Sequence, residues 1–197
     1  AILVNSAANV TAASTVEATS FVQTAGTGTT QFAAAVTTTG AAGVNVVTDA
    51  IDVDGTITTT GTGVVTLTAD GLGAGLGTVD IEAGADITSD GDVTITALNG
   101  ITTAGNVDAS SSNSNVTFAS ATTLDADIAI TTGAAGGNIA FNSTLDSDGV
   151  AARDLTLTGG TGNITFTGAV GSGVGTELDA ILVNSAANVT AASTVEA

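Results

Sequence analysis

The hexapeptide "DVTITA", residues 92–97, alternates apolar side chains with threonine and shares its Asp92 with the turn cluster "TSDGD" at 88–92. Alternation with period two marks a strand that buries one face and solvates the other. The same pattern recurs on both sides of it: "VVTLTA" at 64–69, "NVTFAS" at 115–120, "NIAFNS" at 138–143, "DLTLTG" at 154–159 and "NITFTG" at 163–168. The inward pairs are then Val65/Leu67, Val93/Ile95, Val116/Phe118, Ile139/Phe141, Leu155/Leu157 and Ile164/Phe166. Between strands lie runs such as "GTGT", "ADGLGAGLG" and "TGGTG", where glycine supplies positive φ at little steric cost. Helix formers such as Leu, Glu, Lys and Arg are scarce beside Thr, Val and Gly, so the chain is expected to be all-β.

Spacing turns the strands into an architecture. Coils set to start at 20, 43, 64, 92, 115, 137, 154 and 179 give about eight coils of about 22 residues each. That is the size of a turn in a parallel β-helix, where successive coils stack about 4.8 Å apart. A string of immunoglobulin-like sandwiches is the competing all-β solution. Such domains lean on a buried Trp or a Tyr corner and carry Pro in their loops, and this chain of 197 residues contains none of the three. A solenoid needs no such anchor, because small side chains bury themselves against near-copies in the next coil. One continuous parallel β-helix through all 197 residues is the expectation.

Composition narrows the chemistry. The chain has 19 acidic residues against a single base, Arg153, for a net charge of −18. The basic footprint of a nucleic-acid binder is missing, and so is a polybasic patch for anionic lipid. No apolar run reaches 18 residues, so no membrane insertion is expected. His, Cys, Lys and Tyr are absent. Without them a Ser-His-Asp triad, a cysteine nucleophile, a Schiff base and a zinc site of the usual ligands are all out of reach.

The segment "AILVNSAANVTAASTVEA" occupies residues 1–18 and returns letter for letter at 180–197, an offset of 179 residues. Repetition should be read before fold. A tandem array explains it: residues 1–179 form one β-solenoid repeat unit, and 180–197 start the next identical unit. The two copies are then expected to share one cross-section, displaced by roughly 38 Å for eight coils at about 4.8 Å each. The open β edges of an excised unit are expected to pair with other chains.

In "DLTLTGGTGNITFTGAVG" (154–171) and "ILVNSAANVTAASTVEA" (181–197) the chain resembles the repeats of filamentous-haemagglutinin-type tandem-repeat β-helix surface proteins. The shared style is a hydrophobic–Thr strand, a Gly turn, then "NITF" or "NVT" leading into a short Val segment. The resemblance implies a right-handed parallel β-helix, secretion to the cell surface, and a role in adhesion or fibre formation. It transfers no functional residue, since those repeats have no catalytic signature to match.

Several clusters invite a functional reading. "DVDG" (52–55), "SDGD" (89–92) and "DSDG" (146–149) place Asp52, Asp54, Asp90, Asp92, Asp146 and Asp148 as weak calcium candidates, since closely spaced carboxylates beside glycine offer oxygen ligands. None matches an EF-hand loop or the calcium-binding nonapeptide of other solenoids, and Asp favours turns in any case. No other cofactor is expected. Asp52/Asp54 or Asp90/Asp92 could form the carboxylate pair of a glycosidase, yet one Arg and five Phe are poor equipment for holding a sugar. Asn9, Asn115, Asn142, Asn163 and Asn188 each begin an N-x-Ser/Thr sequon. The run "GLGAGLG" (71–77) lacks the Lys of a phosphate loop. Thr-x-Thr triplets at Thr66/Thr68, Thr94/Thr96, Thr156/Thr158 and Thr165/Thr167 could bind ice only if they lined one face of successive coils, and they are expected on scattered coils.

The function these features favour is a structural repeat of a giant secreted or cell-surface fibre, not an enzyme. Its partners would be further copies of the repeat, neighbouring fibres or cell surfaces, with an extracellular location. The alternative is the shaft of an adhesin. A polysaccharide-cleaving β-helix enzyme is the third class.

Overall fold

The computed structural model describes residues 1–72 and 75–197. Among them the chain is all-β without a helix, wound as a parallel β-solenoid of about eight turns with roughly 23 residues per turn. Each turn up to residue 166 gives strands to three sheets in rotation, so a strand pairs with the strand three places along the chain; only in the last turn, where Val170 makes a single bridge in place of a second-sheet strand, are the partners two places apart.

The first sheet stacks nine strands: Ile2–Val4, Phe21–Gln23, Val44–Thr48, Val65–Ala69, Val93–Ala97, Val116–Phe118, Ile139–Phe141, Asn163–Phe166 and Asn188–Ala191. The second stacks seven, from Val10–Thr11 through Thr29–Phe32, Ala50–Val53, Thr78–Ile81, Gly100–Thr103 and Thr122–Leu124 to Leu145–Ser147. Bridges from Leu145 to Val170 and from Val170 to Val195 extend its column upward. The third sheet stacks eight: Val16–Ala18, Val36–Thr38, Ile57–Thr59, Ile87–Ser89, Val107–Asp108, Ile128–Thr131, Asp154–Thr158 and Ala180–Ser185.

Register explains why the pattern folds this way. Val44, Val65, Val93, Val116, Ile139 and Ile164 lie directly above one another, so a side chain that points inward in one coil meets an inward side chain in the next. All six predicted inward pairs are buried. A second column on the same sheet ends in Phe118, Phe141 and Phe166, whose rings stack at 5.0 and 5.5 Å between centroids. Two inward threonines at strand ends bind corner carbonyls: Thr48 Oγ1 donates to Gly28 O of the coil below at 2.9 Å and Thr132 Oγ1 to Gly137 O at 2.7 Å, whereas the buried Thr38 hydroxyl makes no such bond. Such bonds remove the cost of burying a hydroxyl.

Two expectations about phase need correction. The coil starts at 20, 43, 64, 92, 115 and 137 fall within two residues of first-sheet strands, but those at 154 and 179 fall on the third sheet. "DLTLT" and "NITFT" are equally good strands of one turn, and periodicity alone does not say which face each occupies. The repeated segments are also not equivalent in cross-section. Ile2–Val4 lies on the first sheet, whereas its copy Ile181–Val183 lies on the third, paired with Leu155–Leu157. Val10 lies on the second sheet and its copy Val189 on the first.

Candidate functional site

The surface is a set of vertical columns, because outward residues stack in register as inward ones do. Their polar members are the candidate site. On the second sheet, Gln31, Asp52 and Asp80 follow one another in adjacent coils, with Thr102, Thr123 and Asp146 above. Gln31 Nε2 donates to Asp52 at 3.1 Å and to Asp54 at 2.9 Å. Partial burial, then the charge of Asp54, raises the Asp52 carboxyl above its ordinary value. Burial and the charge of Glu82 do the same for Asp80. Like charges brought together out of bulk water disfavour ionisation.

Arg153, the single basic side chain, closes the upper end of this acidic belt. Its guanidinium lies 2.6 Å from Asp148 and 3.8 Å from Asp125. The hydrogen bond from Arg153, helped by the N–H groups of Val150 and Ala151, holds the Asp148 carboxyl well below the usual carboxylate range. Asp148 is therefore the anchor of its own turn.

The six weak calcium candidates lie in three separate places, and each has a local partner. Asp52 and Asp54 accept from Gln31. Asp90 accepts from the Gly61 N–H and the Ser111 hydroxyl, and Asp92 from the Asn115 N–H and amide. Asp146 accepts from the Ser172 N–H, and Asp148 from Arg153. Among the described residues no three acidic groups come together in a way that could hold a metal ion.

The sequon asparagines have a structural occupation that spacing alone did not reveal. Asp92, Asn115, Asn138, Asn163 and Asn188 form a ladder at the entrance to the first sheet. Asn115 and Asn138 donate through both backbone N–H and side-chain amide to the residue one coil below. Stacked amides of this kind add a polar seam to parallel strands. Asn9 accepts from the Thr29 N–H in the coil above. Asn142 is exposed and makes no side-chain hydrogen bond among the described residues. The signal was present: an Asp or Asn stands directly before Val or Ile at 92, 115, 138, 163 and 188, at coil spacing.

The threonine triplets are less scattered than expected. Thr66/Thr68 and Thr94/Thr96 sit in register on adjacent first-sheet coils, because both belong to the longest strands of that sheet. Asn45 and Val47 below them, and Ala140 two coils above, confine the threonine array to that short patch. Within "GLGAGLG", Gly73 and Ala74 lie outside the described residues. Beside that run a groove of about 750 Å³ follows the corner between the first two sheets, lined by Thr68, Thr96, Leu98, Asn99 and Ser120 with Asp70 as its one ionisable group. One carboxylate among hydroxyls and small residues can bind water or a cation weakly, and it lacks the second group that acid–base chemistry requires.

No protein family model, no curated protein and no solved structure matches this chain. Its class is therefore set by its own geometry, as a parallel three-sheet β-solenoid.

Proposed function

We propose that this chain is a structural repeat of a giant secreted or cell-surface fibre. The observation that carries the proposal is the exact return of eighteen residues after 179, in a fold whose coils add along one axis. A solenoid that repeats itself lengthens without subunit interfaces, since each coil is covalently joined to the next. The polar side chains support the same role. They are tied into ladders that hold coils together, such as Asp92 to Asn188 and Gln31 to Asp52 and Asp54, and do not converge on a reactive centre. A net charge of −18 keeps a long polymer soluble and apart from its neighbours.

Immunogold electron microscopy of the source cells, with antibodies against this chain, tests it. Gold arranged in lines outside the cell envelope is the expected result. Label confined to the cell interior, or a native gene with a single copy of the 179-residue unit, would remove the fibre reading.

A further inference from the structure

We infer that a copy of this same unit fits onto each end of the solenoid, turned by one face relative to its neighbour, so that each 179-residue repeat advances seven and two-thirds turns. The inference rests on the proposed tandem array and adds its phase. Ile2–Val4 and Asn163–Phe166 are the first and eighth strands of the first sheet, which is seven full turns apart. Val170 then occupies the second sheet and Ala180–Ser185 the third, which adds two faces before residue 2 recurs as residue 181.

The two copies of the repeated segment show the two halves of one junction. At 180–197 the segment is seen resting on the coil below it; at 1–18 it is seen under the coil above it. Overlaid by sequence identity, the halves form continuous columns at three inward positions, with one register shift beside Asn184, where Leu157 pairs with Val183 and Thr158 with Ser185. Leu155 pairs with Ile181, whose counterpart Ile2 pairs with Phe21. Ile164 pairs with Val189, whose counterpart Val10 pairs with Thr30. Val170 bridges Val195, whose counterpart Val16 pairs with Val36. The flanking residues Leu155, Phe21, Ile164, Thr30, Val170 and Val36 are all buried, so inward parity is kept on all three faces. Outward parity is kept too, with Leu3 at 65% and its copy Leu182 at 56% exposure.

The polar seam completes itself in the same way. Asn188 donates its amide downward to Asn163 at 2.9 Å, and its counterpart Asn9 accepts from the Thr29 N–H above at 3.0 Å. One asparagine uses its donor in one copy and its acceptor in the other, so a single junction residue can serve both neighbours at once. Val189 and Val195 are 52% and 46% exposed, and they are the inward residues that the next coil of the same sequence would cover.

A whole number of turns would put every acidic belt on one face. Seven and two-thirds turns places the belt of Asp52, Asp54, Asp80 and Glu82 on a different face in each successive unit. The pattern returns after three units, about 23 turns or roughly 110 Å at about 4.8 Å per turn.

A chain made of residues 1–179 followed directly by residues 1–197 tests the phase by crystallography or electron cryomicroscopy. The expected result is one uninterrupted solenoid in which residues 2–4 of the second unit pair with 155–157 of the first, and the second acidic belt lies on the first sheet. A second unit that restarts on the first sheet, or two solenoids joined by an unpaired linker, would overturn the inference. Unfolding of the same protein reads the junction independently. At the junction, Val195→Asp should split one melting transition into two, and Leu182→Asp, which points outward, should leave it single; two silent substitutions would also overturn it. The two proposals fail separately. A concatemer out of phase leaves the fibre reading standing, and a single-copy native gene leaves the junction geometry standing.

Discussion

At the residue scale, Gly43 shows how closely the corners approach one another. Its φ is +54°, and a Cβ added there would lie 1.9 Å from the Val64 carbonyl oxygen in the coil above. Both the left-handed backbone and the close approach require glycine. Gly75 has a φ of +76° but nothing within 4 Å of its Cβ position among the described residues. Gly43→Ala should therefore destabilise the protein by clearly more than the 1–2 kcal/mol, roughly, of left-handed strain alone, whereas Gly75→Ala should cost no more than about that. Chemical denaturation of the two variants decides it, and equal midpoints would show that the corner yields.

At the element scale, stability lies in columns and not in strands, since strands of two to six residues have too little of their own to stay folded. The column Phe118, Phe141 and Phe166 is the largest aromatic element of the core. Phe141 is its middle member, with a ring stacked on each side. Phe141→Ala should cost about 3–5 kcal/mol, and Phe141→Leu, which keeps most of the volume, should cost far less. Because each coil touches only its neighbours, the cavity should unfold the upper coils first and broaden the transition. Hydrogen exchange will show this as protection lost from about residue 139 upward and kept in the lower coils. Uniform loss along the whole chain would contradict the one-dimensional picture.

At the scale of the whole molecule, charge sets the response to pH. Asp52 and Asp80 have folded pKa values raised by burial and by neighbouring carboxylates, so the folded state binds their protons more readily than the unfolded chain. Their contribution to stability is full below the unfolded value near 3.8 and is lost as pH rises through the raised folded values. Asp148 behaves oppositely. Its lowered pKa contributes stability above 3.8 that is lost only as pH falls into strong acid. As the pH is lowered from 7 towards the unfolded value near 3.8 at low salt the melting temperature should therefore rise, and added salt at pH 7 should raise it too by screening the excess negative charge. Melting curves across that range check both, and a steady fall from pH 7 down to pH 4 would refute the first. Solubility should be lowest near the isoelectric point of about 4.1.

Local alternation in this chain determined which residues face inward, and every pair it named, from Val65/Leu67 to Ile164/Phe166, is buried. It determined the strand type and the turn length as well, because side-chain parity and coil spacing are properties of the chain read along itself. It did not determine which of three faces a strand joins. "DLTLT" at 154 and "NITFT" at 163 satisfy the same period-two rule, and only pairing with the coil below assigns Asp154–Thr158 to the third sheet and Asn163–Phe166 to the first. The polar ladders were hidden for a related reason. Asp92, Asn115 and Asn138 are separated by 23 positions each, and their hydrogen bonds exist only once stacking brings those positions within reach. In the repeated segment, eighteen identical residues take the three faces in two different phases, because the number of turns between the copies is a property of the whole winding and of no segment within it.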